Sequence, residues 1–159
     1  MLPDDEGDAI KVKQSAEMIA AKLGVVMVRE VDISYAMGDG SIVADYPDTG
    51  MMPFQENFLR MLRIRDPEAV FVCRGDGDSM NPTIHSQDMV LIDASRNRVT
   101  LSDHIWAISV AGAGMIKRLR PLPDGQVMIL SDNPSVPEQV FDGEDVHVVG
   151  KVVWIGRMM

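Results

Sequence analysis

The sequence predicts a mostly β fold, a β-rich α+β arrangement of short, largely antiparallel strands with helical segments toward the N-terminus. Three observations predict it. From Ala69 onward, short runs rich in β-branched and aromatic residues alternate with turn residues. Helical spacing of apolar residues is confined to the stretch before Asp66. The chain has 159 residues, 46% apolar and 25% charged, which is globular composition and enough for one domain of ordinary size or a small domain with a long arm.

Residues 1–8 are acidic and interrupted by Pro3 and Gly7, so they are expected to be disordered. Between Asp8 and Leu23, Ile10, Val12, Ala16, Ile19, Ala20 and Leu23 recur at helical spacing, and Gly24 is a natural stop. Ala16–Val25 has the look of the first helix and turn of a helix-turn-helix, but Val25–Ile33 is too β-branched for a second helix, and a packing or linker helix is the plainer reading. Residues 25–35 read as a strand, 36–41 as a turn-prone loop and Ser41–Tyr46 as a further short strand before the turn Pro47–Gly50. Phe54–Arg65 has Phe58, Leu59 and Leu62 on one side and predicts a helix ended by Asp66-Pro67. Strands are then expected at Val70–Cys73, Met89–Asp93, His104–Val110, Gly114–Arg120, Gln126–Leu130 and Val146–Ile155. Asn97, Gly112, Gly114, Pro123-Asp124-Gly125, Asn133-Pro134 and Gly143 mark the turns between them. This divides the chain into an acidic arm and linker helix (1–30), a loop and helix (31–68) and a β body (69–159).

Charge and composition exclude several function classes. The net charge is −9, from 24 acids and 15 bases. Wrapping phosphate needs clustered Lys and Arg, and an anionic membrane surface would repel such a chain. Residues 1–50 hold ten acids and four bases, against fourteen and eleven in the rest, so the acidic excess sits mainly in the first third. The single cysteine, Cys73, has no internal disulfide partner and reads as a buried strand residue. No Cys/His cluster has metal-ligand spacing, and no metal or other cofactor is expected. The acidic start lacks the marks of a signal peptide and no run of eighteen apolar residues occurs, so a soluble, cytoplasmic location is expected. The thirteen methionines read as core filler, and Trp106 and Trp154 as core or dimer contacts within strands.

The chemistry is concentrated at Gly75-Asp76-Gly77-Asp78-Ser79-Met80-Asn81-Pro82-Thr83-Ile84, which follows a predicted strand. The glycines allow a sharp turn that leaves backbone N–H groups free, and Ser79 sits where a short helix could begin. Ser79 reads either as an N-cap or as a nucleophile, and the second reading requires a base. His85, His104 and His147 are candidates without an evident orienting carboxylate, and each also reads as an ordinary surface or strand residue. Lys117 is the other option. In Gly114–Arg120 a period of two puts Met115, Lys117 and Leu119 on one face and Ile116, Arg118 and Arg120 on the other. On the first face the lysine would point inward, where desolvation lowers its pKa and makes a neutral amine available. The competing reading is a Lys-Arg pair on an exposed edge strand.

With these residues in view, the chain from about Val31 to the C-terminus resembles the LexA-type peptidase family, which includes SOS repressors, lambdoid phage repressors and the mutagenesis protein UmuD. Gly77–Ile84 is similar to the family's serine box, Asp88–Asp93 to the strand after it, and Ile116–Leu119 to its lysine box. Ser131–Pro134 is similar to its turn and Val148–Trp154 to its closing strand. The resemblance implies Ser79 as nucleophile, Lys117 as base, and backbone N–H groups of Gly77, Asp78 and Ser79 as the oxyanion site. It further implies self-cleavage stimulated by the RecA–single-stranded DNA filament, a homodimer, and DNA contact only through a separate N-terminal helix-turn-helix domain. Type I signal peptidases share a similar serine pattern, but no membrane anchor is present and Arg118–Pro123 lacks their Gly-x-Pro-Gly-Asp box.

Two departures from the family pattern qualify the expectation. The candidate scissile loop reads Tyr35-Ala36-Met37-Gly38, with Met37 between the Ala and Gly that would otherwise be adjacent. Cleavage is expected at Met37-Gly38, alternatively at Ala36-Met37, or is slowed or lost. Residues 1–24 are too short for a helix-turn-helix, so the chain is expected to be part of a longer repressor or a stand-alone member resembling UmuD. A non-cleaving module that dimerises or receives an antirepressor is the alternative of a different class.

Overall fold

The computed structural model of the chain describes residues 5–32, 50–100 and 103–159. The elements are helix α1 (Asp5–Lys22), strands β1 (Val25–Glu30) and β2 (Gly50–Gln55), helix α2 (Glu56–Met61), and strands β3 (Val70–Arg74), β4 (Met89–Asp93), β5 (His104–Val110), β6 (Ala113–Pro121), β7 (Gln126–Leu130), β8 (Gln139–Asp142) and β9 (Val146–Gly156). The nine strands form one sheet in the order β2-β1-β3-β4-β9-β5-β6-β7-β8. All neighbours are antiparallel except β1 and β3, which run parallel. The expected β-rich, largely antiparallel class is the observed one.

The central strands are apolar on both faces because both faces are covered. In β3, Phe71 and Cys73 enter one cluster with Val90, Ile92, Ala107, Ile116 and Val149. Val70 and Val72 point the opposite way, into a cluster with Val28, Leu59, Ile64 and Leu91 that α2 helps to cover. A third cluster, around Trp106, Ile108, Leu119 and Ile129, supports the β5–β7 half of the sheet. The period of two thus sends alternate residues of one strand into different cores.

Several expectations about local structure are corrected. The helix expected over Phe54–Arg65 is only Glu56–Met61, and residues 50–55 are a strand. Met51 to Phe54 pair with β1, and Pro53 is tolerated because β2 lies at the sheet edge, where a missing donor costs no ladder bond. Gln139–Asp142 form an unexpected strand against β7, four residues with little alternation of their own. Asp5–Asp8, expected to be disordered, belong to α1. The apolar residues of α1 do not enter a core. Ile10, Val12, Met18 and Ile19 are all exposed, as is Leu23 just beyond the helix. The strand expected over 25–35 ends at Glu30 within the described residues, and that expected at 41–46 lies outside them.

Trp106 is buried in the third cluster, and Trp154 packs edge-on against Phe54 and Phe58. Cys73 is fully buried, and desolvation, reinforced by the nearby Asp32 and Glu30 carboxylates, pushes its thiol up to about 12. That makes it a core residue and no nucleophile at neutral pH. Among the described residues, no helix is long and apolar enough to cross a membrane.

Candidate active site

Ser79 lies in the long connection between β3 and β4, which is a succession of tight turns and contains no helix. Bonds within the loop close it. Gly75 N–H donates to the Asp88 carbonyl at 2.8 Å, and Gln87 N–H donates back to the Gly75 carbonyl at 2.9 Å. A Cβ at Gly75 would lie 2.7 Å from the His85 carbonyl oxygen, so only glycine permits this approach. Asn81 N–H donates to the Asp78 carbonyl (3.0 Å) and Ile84 N–H to the Met80 carbonyl (2.9 Å), which curls the chain immediately around the serine. Gly77 sits at φ 74°, the left-handed region, two residues before Ser79. Met80 and Ile84 are buried in the first cluster and pin the loop to the sheet.

The loop is clamped at its far end by an ion pair. The Asp88 carboxylate is 3% exposed and accepts from Arg157 Nε at 2.8 Å, from Arg157 Nη2 at 2.6 Å and from the His85 N–H at 2.7 Å. The Arg157 bonds, followed by the His85 N–H, outweigh burial and hold the carboxyl down at about 2.

Lys117 reaches the site from β6. This strand lies between β5 and β7, so the reading of Lys117 and Arg118 as decoration of an exposed edge is corrected by the pairing. Leu119 is fully buried and Met115 packs beside it in the third cluster, while Ile116 is buried in the first. Lys117 is half-buried, and desolvation lowers its pKa from the ordinary value of 10.5. Its Nζ donates to Ser131 Oγ at 2.7 Å. Arg118 turns to Asp132, with Nε to Oδ1 at 2.6 Å and Nη2 to Oδ2 at 2.9 Å. Arg118 and the Thr83 hydroxyl, a member of the serine loop, hold the Asp132 carboxyl below its usual range against the opposing effect of burial.

Ser79 and Lys117 line one cleft of about 760 Å³, together with Gly77, Asp76, His85 and Asp32. Asp32 lies two residues beyond the end of β1, and Val31 is tied to β3 through its N–H to the Val72 carbonyl at 2.8 Å. The chain therefore passes along the cleft immediately before the segment that contains Ala36, Met37 and Gly38, which lies outside the described residues. Of the three histidines, only His85 lines this cleft. It is exposed, and its backbone N–H is the group bonded to Asp88. His104 opens β5 and His147 is exposed on β9.

Sequence reasoning singled out Ser79, Lys117 and the Gly77–Ser79 backbone. It gave no role to Ser131, Asp132 and Asn133, which the structure brings against both the lysine strand and the serine loop. Asn133 N–H donates to the Ser79 carbonyl at 3.0 Å and its Nδ2 to the Asp78 carbonyl at 3.1 Å. The only signal for this turn was its likeness to a known motif, and Arg157 carried no signal at all.

Comparison with known proteins places the site in context. The family model described as Peptidase S24-like matches residues 30–153. An uncharacterized HTH-type transcriptional regulator of Haemophilus influenzae is 28% identical over 158 residues, covering 93% of this chain and 64% of the relative. A LexA repressor of Exiguobacterium sibiricum is 29% identical over 119 residues, covering 74% of this chain and 56% of the relative. The chain thus spans about three-fifths of the length of these curated relatives.

Proposed function

The chain belongs to the Peptidase S24-like family, and we propose that it is the regulatory and dimerisation portion of a LexA-like transcriptional repressor that cuts its own chain once, with Ser79 as nucleophile and Lys117 as general base. The observation that carries this reading is the lining of one cleft by Ser79, a desolvated Lys117 and the chain leaving β1. Neutral Lys117 takes the hydroxyl proton as Ser79 Oγ attacks the carbonyl carbon of Met37. The oxyanion is held by backbone N–H groups of the Gly77–Ser79 turn, the amine of Gly38 leaves with a proton, and water releases the acyl group from the serine.

Delivery in cis follows from chain length. Met37 lies five positions beyond Asp32, which is on the cleft, and an extended chain spans at most about 18 Å over that interval. A tethered bond of this kind is presented at high effective concentration, which suits a weak dyad working once. The repressor reading draws on the relatives' descriptions. It assigns DNA contact to a separate helix-turn-helix domain, consistent with the acidic charge of this chain; stimulation by a RecA–single-stranded DNA filament is what the resemblance to the LexA-type family implies.

Incubation at alkaline pH tests the proposal. A single cut near residue 37, seen as two fragments by intact-mass spectrometry and abolished in Ser79→Ala, is the expected result. A chain that stays whole with and without the filament overturns the catalytic reading. A second reading is favoured by Met37 standing between Ala36 and Gly38: a module that dimerises or receives an antirepressor without cleaving. Sedimentation would then give a doubled mass, unchanged by Ser79→Ala, and no fragments.

A further inference from the structure

We propose that the turn Ser131–Asn133 is the positioning element of this site, with the Ser131 hydroxyl aiming the Lys117 amine and Asn133 fixing the peptide planes on either side of Ser79. The inference rests on the Ser-Lys reading and extends it to residues outside the dyad.

Three consecutive residues bridge the two halves of the site. Ser131 Oγ accepts from Lys117 Nζ at 2.7 Å. Asp132 joins Arg118, the neighbour of the lysine, to Thr83 in the serine loop. Asn133 reaches the serine itself, through its N–H to the Ser79 carbonyl and its side-chain amide to the Asp78 carbonyl. The turn is itself pinned, because Ser135 N–H donates to Asn133 Oδ1 at 2.9 Å and Val136 N–H to the Asn133 carbonyl at 3.0 Å.

These contacts act on the reacting groups through rigid units. A lysine side chain has four flexible torsions and surrenders most of its rotamer entropy when it is fixed. One hydroxyl at hydrogen-bond distance removes much of that freedom before the substrate arrives. A trans peptide is planar, with its C=O and N–H pointing in opposite directions. Holding the Asp78 carbonyl therefore orients the Ser79 N–H, and holding the Ser79 carbonyl orients the Met80 N–H. Asn133 thus fixes the Ser79 N–H, one of the donors assigned to the oxyanion, and the peptide plane that follows the serine.

Ser131 is tested in two ways that fail separately. In the chain carrying Ser79→Ala, which stays whole, the Lys117 side chain is followed by ¹³C NMR of the ε-carbon against pH. Adding Ser131→Ala is expected to broaden the rotamer distribution of Lys117 and move its titration to lower pH, since the ammonium loses an acceptor. Ser131→Thr is expected to restore both. In the cleaving chain, Ser131→Ala is expected to lower the plateau rate about 10- to 100-fold with an unchanged melting temperature, and Ser131→Thr to recover most of it. An unaltered Lys117 titration and mobility in Ser131→Ala overturns the positioning role, whatever the cleavage rate. An altered titration in a wild-type chain that never cleaves leaves the positioning standing and overturns the catalytic reading alone.

Discussion

The serine loop and the lysine strand face the same cleft but are fixed by different means. Residues 75–88 hold their shape through short backbone bonds within the loop, a glycine that only glycine can replace, and the Asp88–Arg157 clamp. Lys117 has no such local apparatus. Its place follows from the strands on either side of β6, and its altered basicity follows from burial between them. A nucleophile can be set by local turn chemistry, because its task is to be exposed at a sharp corner. A lysine base must lose water while keeping a route to the nucleophile, and only neighbours distant in sequence can arrange that.

The difference can be broken from either side, and the largest effect is expected at the reacting groups. Ser79→Ala and Lys117→Ala should each lower the self-cleavage rate by about 10³-fold or more, and the double variant should be no worse than either. Equal losses would show that loop and strand act as one unit. Substantial residual cleavage in Lys117→Ala would point to His85, whose imidazole belongs to a residue that also lines the cleft.

The pH profile is the next largest effect. The Lys117 pKa is lowered, so the neutral amine appears at lower pH than for an exposed lysine. The rate should climb about tenfold per pH unit and level off below 10.5. The stability term has a matching sign. A lysine whose pKa is lowered on folding binds its proton less well in the folded state, so its cost to stability is present at low pH. That cost is relieved as pH rises from the folded value toward 10.5. A rate still rising at pH 11 would remove the desolvated base from the argument.

Smaller effects separate the two kinds of support. Asp132→Asn unties Arg118 from Thr83 and should cost about 2–3 kcal/mol, read as a lowered denaturant midpoint, together with a loss of cleavage rate. Asp88→Asn loosens the loop at its far end and should lower stability at pH 7, by less than Asp132→Asn does. Its carboxyl is held at about 2 in the fold against an ordinary 3.8, so this stability is present above pH 3.8 and vanishes as pH falls toward 2. Melting curves of wild type and variant should therefore converge in acid, and a constant gap down to pH 2 would refute the ion pair as its source. The exposed pair Glu56–Arg60 on α2, remote from both, should be worth less than about 0.5 kcal/mol, and Glu56→Ala serves as the neutral reference.

Much of this was legible before any coordinates. The strands Met89–Asp93, His104–Val110 and Gln126–Leu130 fall where β-branched runs end in turn residues. Ser79 and Lys117 stood out because a serine among glycines and a lysine among strand apolars are each unusual in a local pattern. Less legible were the elements whose identity depends on a partner. Residues 50–55 became a strand because β1 offers them an edge, and the apolar spacing of 54–65 alone argued for helix. Gln139–Asp142 likewise are a strand only because β7 lies beside them.

The sequence by itself determined the fold class, the corner on which Ser79 sits and the acidic charge that argues against direct DNA contact, because these follow from local backbone preferences and summed charge. The tertiary structure alone decided that Lys117 loses water, that Ser131 receives its proton-bearing nitrogen, and that Asn133 grips the carbonyls beside Ser79. Those bonds join residues 14 to 55 positions apart, and their geometry depends on strand register rather than on local sequence.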